Sequence, residues 1–96
     1  MKSFEELGAQ LGKLVSAKNK AYGNAAVNTA KMLRVAFPDG IPPEKYEDAL
    51  LIIRVMDKIL RAANDKNAFG ESPWEDIGGY GILGWRKDLE QLSEGD

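Results

Sequence analysis

The most strongly patterned stretch of the chain runs from Pro43 to Ala63. At about 100° per residue, Tyr46, Ala49, Leu50, Ile53, Met56, Leu60 and Ala63 form one apolar face of a helix, and Leu51, Ile52, Val55 and Ile59 form another. Between the faces lie Arg54, Lys58 and Arg61, with Asp57 at the edge. A helix apolar on two sides is a central or interfacial one. Its single polar stripe is then solvated, paired internally or turned toward a ligand.

Three more helices are predicted around it. Ser3 and Glu6 form a capping-box pattern, and Phe4, Leu7, Leu11, Leu14 and Val15 recur at helical spacing, so residues 1–17 hold an amphipathic first helix beginning at Phe4. The segment Lys18 to Asn24 breaks the pattern, with Gly23 suited to a left-handed conformation and Asn24 to capping the next helix. That second helix is predicted over 25–36, with Val27, Ala30, Leu33 and Phe37 inward. Pro38-Asp39-Gly40 is a turn, and Pro42-Pro43 suits the start of the third helix, over 43–63. Asn64 to Gly70 reads as a loop. Ser72-Pro73-Trp74-Glu75 repeats a start signal, for a fourth helix over 73–92. No stretch alternates with period two, so the class is all-α: one compact, four-helix bundle-like domain over 1–96, with short connections that favour antiparallel neighbours. The acidic tail Ser93-Glu94-Gly95-Asp96 is expected to fray.

Composition narrows the chemistry. Ninety-six residues make one modest core that gains from oligomerisation. A net charge of −2 and a pI near 5.2 argue against broad binding to nucleic acid, while leaving room for a local basic pocket. With no cysteine and no histidine, disulfides, thiolate nucleophiles, Cys/His zinc sites and Ser-His triads are excluded. Any metal would be held by carboxylates, which suit Mg²⁺ or Mn²⁺. The opening residues lack an apolar core of the kind a signal peptide carries, and no apolar run approaches the roughly 18 residues of a membrane span, so a cytoplasmic protein without a membrane partner is expected.

Arg54, Lys58 and Arg61 share one helix face within roughly 60°. One reading has Asp57, Asp65 and Glu47 neutralise them through i,i+3 and i,i+4 pairs, each contributing only about 0.2–0.5 kcal/mol. The other is a phosphate clamp, since a guanidinium fork and an ammonium on a rigid helix match phosphate oxygens. Asp57 lies close to the apolar face and needs a cation, a backbone donor or a metal. Gly78, Gly79, Gly81 and Gly84 sit inside the fourth helix at a cost of roughly 1 kcal/mol each. That cost is offset either by close helix–helix approach or by room for a ligand beside Tyr80. Lys18, Lys20 and Tyr22 flank the first break, and Asp76 lies one turn before Tyr80. Together these form a three-segment set of cations, carboxylates and tyrosines suited to a phosphorylated, base-bearing small molecule. Trp74 and Trp85 read as core residues.

The elements Lys18-Asn19-Lys20-Ala21-Tyr22-Gly23, Arg54 to Arg61 and Asp76-Ile77-Gly78-Gly79-Tyr80 resemble a Lys-x-x-x-Tyr-Gly motif, a basic helix and an Asp-x-x-Gly-Tyr motif of small all-α bacteriophage proteins related to nucleotide-modification-associated domains. The resemblance spans about residues 18–85 and rests on short motifs. That group is distantly similar to the MazG-like all-α nucleotide pyrophosphohydrolases, which implies a nucleotide ligand, an oligomer and a Mg²⁺ site of the form Glu-Glu-x-x-Glu followed by Glu-x-x-Asp. Here Glu5-Glu6 is followed by Ala9 and Gln10 instead of a third acid, and cations occupy the helix where acids would converge. This departure favours holding a nucleotide over hydrolysing one.

The resulting expectation is a phage-type homo-oligomer in the cytoplasm of a bacterial host. It binds a phosphorylated nucleotide through Lys18, Tyr22, Arg54, Lys58, Arg61 and Tyr80, and in doing so sequesters a defence-signalling nucleotide. The alternatives are a Mg²⁺-dependent pyrophosphohydrolase with Asp57, Glu75 and Asp76 as metal ligands, and an inhibitor that docks apolar helix surfaces on a host protein.

Overall fold

A computed structural model describes residues 1–95, with side chains through Ser93. It is all-helical, with no strand among the described residues. The elements are α1 (Phe4–Ala21), α2 (Ala25–Ala36), α3 (Tyr46–Asp65) and α4 (Pro73–Gly95), with single 3₁₀ turns at Pro43–Lys45 and Ala68–Gly70. The helices gather as a bundle around α3, which packs against α1, α2 and α4, while α1 and α4 share at most marginal contact. Its overall dimensions are 57 × 31 × 30 Å. No described helix is long and apolar enough to cross a membrane.

Local chemistry explains the boundaries. Ser3 caps α1, its Oγ accepting the Glu6 N–H at 3.1 Å. The helix continues four residues past Ala17, because Lys18 to Ala21 carry no helix breaker and the stop is imposed only at Gly23 (φ +60°) and Asn24 (φ +55°). Lys18 and Tyr22 therefore lie one turn apart at a helix end, not in a loop. Asn24 occupies the N-cap position of α2 in a left-handed conformation and makes no side-chain cap, contrary to expectation. A β-carbon on Gly23 would stand 2.2 Å from Asn64 Nδ2, so this glycine is fixed both by its φ and by the approach of the end of α3. The tail expected to fray continues α4 through Gly95; Asp96 lies outside the described residues.

Burial departs from the amphipathic pattern. On α1, Phe4, Leu7, Leu11, Leu14 and Val15 are exposed instead of inward, and only Ala21 is buried. Val27 is exposed, while Ala30, Leu33 and Phe37 are half-buried. Trp74 and Trp85, expected in the core, are 57% and 68% exposed. Helix α4 turns Ile77, Tyr80, Gly84 and Lys87 toward α3, with Leu51 packed 3.4 Å from where a Gly84 β-carbon would sit. Close approach therefore accounts for Gly84. Gly78, Gly79 and Gly81 have nothing within 4 Å. Lys87 joins Asp48 at 2.8 Å and ties α4 to the start of α3.

Gly23→Ala is expected to lose about 1–2 kcal/mol in urea unfolding, from the left-handed φ plus displacement of Asn64. In an Asn64→Ala background the loss should shrink toward the φ contribution of about 1 kcal/mol alone. Equal losses in both backgrounds would show that Asn64 plays no part.

Candidate functional site

The end of α1, the start of α2, the middle of α3 and Tyr80 of α4 enclose an open cavity of about 500 Å³, within the range of small-molecule sites. Lys18, Asn19 and Tyr22 line it from α1, and Arg54, Asp57 and Lys58 from α3. Val15, Ala25 and Ala26 complete the wall.

The start of α2 gives the cavity an anion-binding character that the sequence pattern does not reveal. Because Asn24 makes no side-chain cap and no acid sits in the first turn, the helix begins uncapped. The first N–H groups of α2 to be bonded are those of Val27 and Asn28, both to the Asn24 carbonyl. Ala25 and Ala26, which precede them, line the cavity. An uncapped helix N-terminus carries partial positive charge and N–H donors aimed outward. Lys18, Arg54 and Lys58 add full charges beside it.

The cations are held in distinct ways, and none makes the expected i,i+3 or i,i+4 pair within α3 among the described residues. Arg54 is exposed and lies over the Tyr80 ring, 5.8 Å from its centroid. Lys58 stands over the Tyr22 ring at 5.4 Å, donates to the Tyr22 hydroxyl at 3.1 Å and lies 3.2 Å from Asp76 Oδ2. That last contact is one of charge, without hydrogen-bond alignment, since Asp76 Oδ2 is buried with no directed donor. Arg61 is 1% exposed and does not line the cavity; it donates through Nη2 to the Glu71 carbonyl. Its Nε is buried with no partner in hydrogen-bond geometry.

Electrostatics follow this arrangement. Burial pushes the Tyr22 phenol up, but the hydrogen bond from Lys58 and the cationic donors of Arg61 outweigh it and leave the group below its ordinary value. Burial pulls Lys58 down, and its contacts with Tyr22 and Asp76 more than reverse this, so its pKa is raised. Both shifts favour the charged forms together.

The candidate metal ligands are not gathered. Asp57 accepts a 2.6 Å hydrogen bond from buried Thr29, Asp76 faces Lys58, and Glu75 is exposed outside the cavity lining. No group of three acids able to hold a metal occurs among the described residues. Asp57 meets its need for a partner through a hydroxyl instead of a cation. Thr29 gave no sequence signal, since a threonine inside a helix marks nothing until its neighbour across the interface is known. Phe69 was also missed. Its ring stacks on Tyr22 with centroids 6.5 Å apart, held by a left-handed backbone at φ +63°.

Of the six residues expected to bind ligand, the cavity brings together Lys18, Tyr22, Arg54, Lys58 and Tyr80, and Arg61 supports it from within. No protein family, curated protein or solved structure matches the chain.

Absorbance at 295 nm during an alkaline titration should show one of the three tyrosines ionising early, and Lys58→Met should remove that phase. An early phase that survives in Lys58→Met would disprove the assignment to Tyr22. Arg61→Ala should cost roughly 2–4 kcal/mol in urea unfolding, because it removes a large buried side chain and strands the Glu71 carbonyl. Arg54→Ala, at an exposed position, should cost less than about 0.5 kcal/mol.

Proposed function

We propose that this chain, assembled as a homo-oligomer, binds a phosphorylated nucleotide in the cavity between α1, α2 and α3. The observation that carries the reading is the uncapped start of α2 opening onto a cavity that Lys18, Arg54 and Lys58 also line. Phosphate oxygens would take the Ala25 and Ala26 N–H groups and the Arg54 fork, with Lys18 and Lys58 supplying further charge. Tyr22 and Tyr80 hold Lys58 and Arg54 in place through their ring faces and offer hydroxyls and ring edges to the rest of the ligand. In the setting suggested by the resemblance to phage proteins, such binding sequesters a host signalling nucleotide and blunts a defence response. The pyrophosphohydrolase alternative gains no support from the acids, because Asp57 and Asp76 are each engaged by a different side chain.

The test is thermal melting against mono-, tri- and cyclic nucleotides, with and without Mg²⁺, with chromatography of each compound after incubation. A higher melting temperature with the compound recovered intact supports sequestration. Metal-dependent conversion would make the protein an enzyme, and no shift with any compound would overturn the nucleotide reading. Two variants locate the site. Arg54→Ala should weaken binding about tenfold or more, the loss of a charge-assisted hydrogen bond of about 1.5–3 kcal/mol. Ala26→Glu places a carboxylate at the start of α2, where it should stabilise the free protein by about 0.3–1 kcal/mol while repelling phosphate. Ala26→Glu binding as tightly as wild type would remove the α2 terminus from the site.

A further inference from the structure

Helix α4 is turned with its less apolar side inward. Tyr80, Gly84 and Lys87 face α3, while Ile82, Trp85, Leu89 and Leu92 are 53–68% exposed. Their spacing is three, four and three residues, the repeat that lays side chains along one seam of a paired helix. On α1, Phe4, Leu7, Leu11 and Leu14 have the same spacing and are also exposed, at 47–91%. Gly8 and Gly12 flank the α1 seam with nothing within 4 Å of where their β-carbons would sit. Each is a helix-interior glycine costing about 1 kcal/mol with no compensating contact inside the chain. The two seams have equal length, and neither covers the other within one chain.

The exposed area says what kind of occupant is needed. The chain presents 7337 Å² to solvent. A folded monomer of its mass would present about 5,500 Å², so the excess is about 1,900 Å² per chain. Obligate homodimers bury about 1,000–2,500 Å² on each partner, so one second copy accounts for the whole excess. A two-fold axis also places the same pair of surfaces on both sides, which lets α1 of each copy meet α4 of the other and covers both seams with a single interface.

We infer that the protein is a two-fold dimer in which the α1 seam of each copy packs against the α4 seam of the other. The inference rests on the homo-oligomeric part of the proposed function and not on its ligand. It bears on the cavity because the α1 seam runs into it. Leu14, Lys18 and Tyr22 follow on one helix face after Leu7 and Leu11, and Val15, 55% exposed, belongs to both the apolar surface and the cavity wall. A second copy seated on α1 therefore borders the mouth of the cavity and restricts its access to water.

Sedimentation equilibrium and tryptophan emission test this together, because both tryptophans, Trp74 and Trp85, lie on α4. The wild type should have twice the 10.6 kDa chain mass and blue-shifted emission that moves red on dilution. Leu11→Glu, an exposed position on α1, should give a monomer with an unchanged helical circular dichroism spectrum and red-shifted emission, although Leu11 is on a different helix from either tryptophan. Leu89→Glu on α4 should give the same monomer. A monomeric wild type overturns the oligomeric reading and this inference alike. An oligomer whose mass and emission are unchanged by both variants overturns the α1–α4 interface and leaves the oligomeric reading standing.

Discussion

The junction of Tyr22, Lys58, Arg61 and Asp76 is the contact on which the arrangement of helices depends. Tyr22 comes from the end of α1, Lys58 and Arg61 from α3, and Asp76 from the start of α4. Ala21, Ala49 and Pro73 are the buried apolar side chains among the described residues, and Arg61, at 1% exposed, is more buried than either alanine. A core of that size fixes helix positions weakly, because apolar contact is non-directional and scales with area. Hydrogen bonds from the two cations to a phenol and a backbone carbonyl, together with the Lys58–Asp76 charge contact, then set where α1 and α4 meet α3. Phe69 stacking on Tyr22 brings the α3–α4 connection into the same junction.

This dependence constrains the candidate site. Lys58 both holds the helices and lines the cavity, so its charge is partly spent on Tyr22 and Asp76 before any ligand arrives. Arg54 and Lys18 form no ion pair among the described residues and stay exposed, which leaves them available to an incoming anion. The start of α2 is available as well, because the left-handed Asn24 makes no side-chain bond to the first turn. Exposure thus changes along the stripe, with Arg61 inside, Lys58 half-buried and Arg54 outside.

Much of this was legible in the sequence, within limits that have physical causes. Periodicity of 3.6 residues and the Ser3 and Ser72-Pro73 start signals identify helices, because those signals are local. The end of α1 lies beyond the change in pattern because Lys18, Asn19 and Lys20 are polar yet helix-compatible, and a change of polarity resembles a break. The cation stripe and the tyrosines were visible as one cluster, since Lys18 and Tyr22, and Arg54, Lys58 and Arg61, each share a helix face. Which cation is buried was not visible. Arg61 owes its burial to Glu71 and Tyr22, which are remote in pattern from α3, and Thr29 against Asp57 depends on how α2 is rotated. A helical wheel gives faces without saying which neighbour each one meets.

The same limit applies to the exposed tryptophans, Trp74 and Trp85. An apolar stripe on a helix is evidence that something covers it, and a single-chain reading supplies only the other helices as cover. Helix α4 shows the assumption failing, because its contact with α3 is made by Ile77, Tyr80, Gly84 and the Lys87–Asp48 pair at 2.8 Å. Rotating α4 to bury Trp85 and Leu89 against α3 would break that pair and withdraw Asp76 from Lys58, stranding a partly buried charge whose loss of partner costs several kcal/mol. The polar contacts of Asp76 and Lys87 therefore select its rotation. The apolar stripe of Ile82, Trp85, Leu89 and Leu92 faces outward as a consequence, left uncovered by the polar contacts that hold the helix.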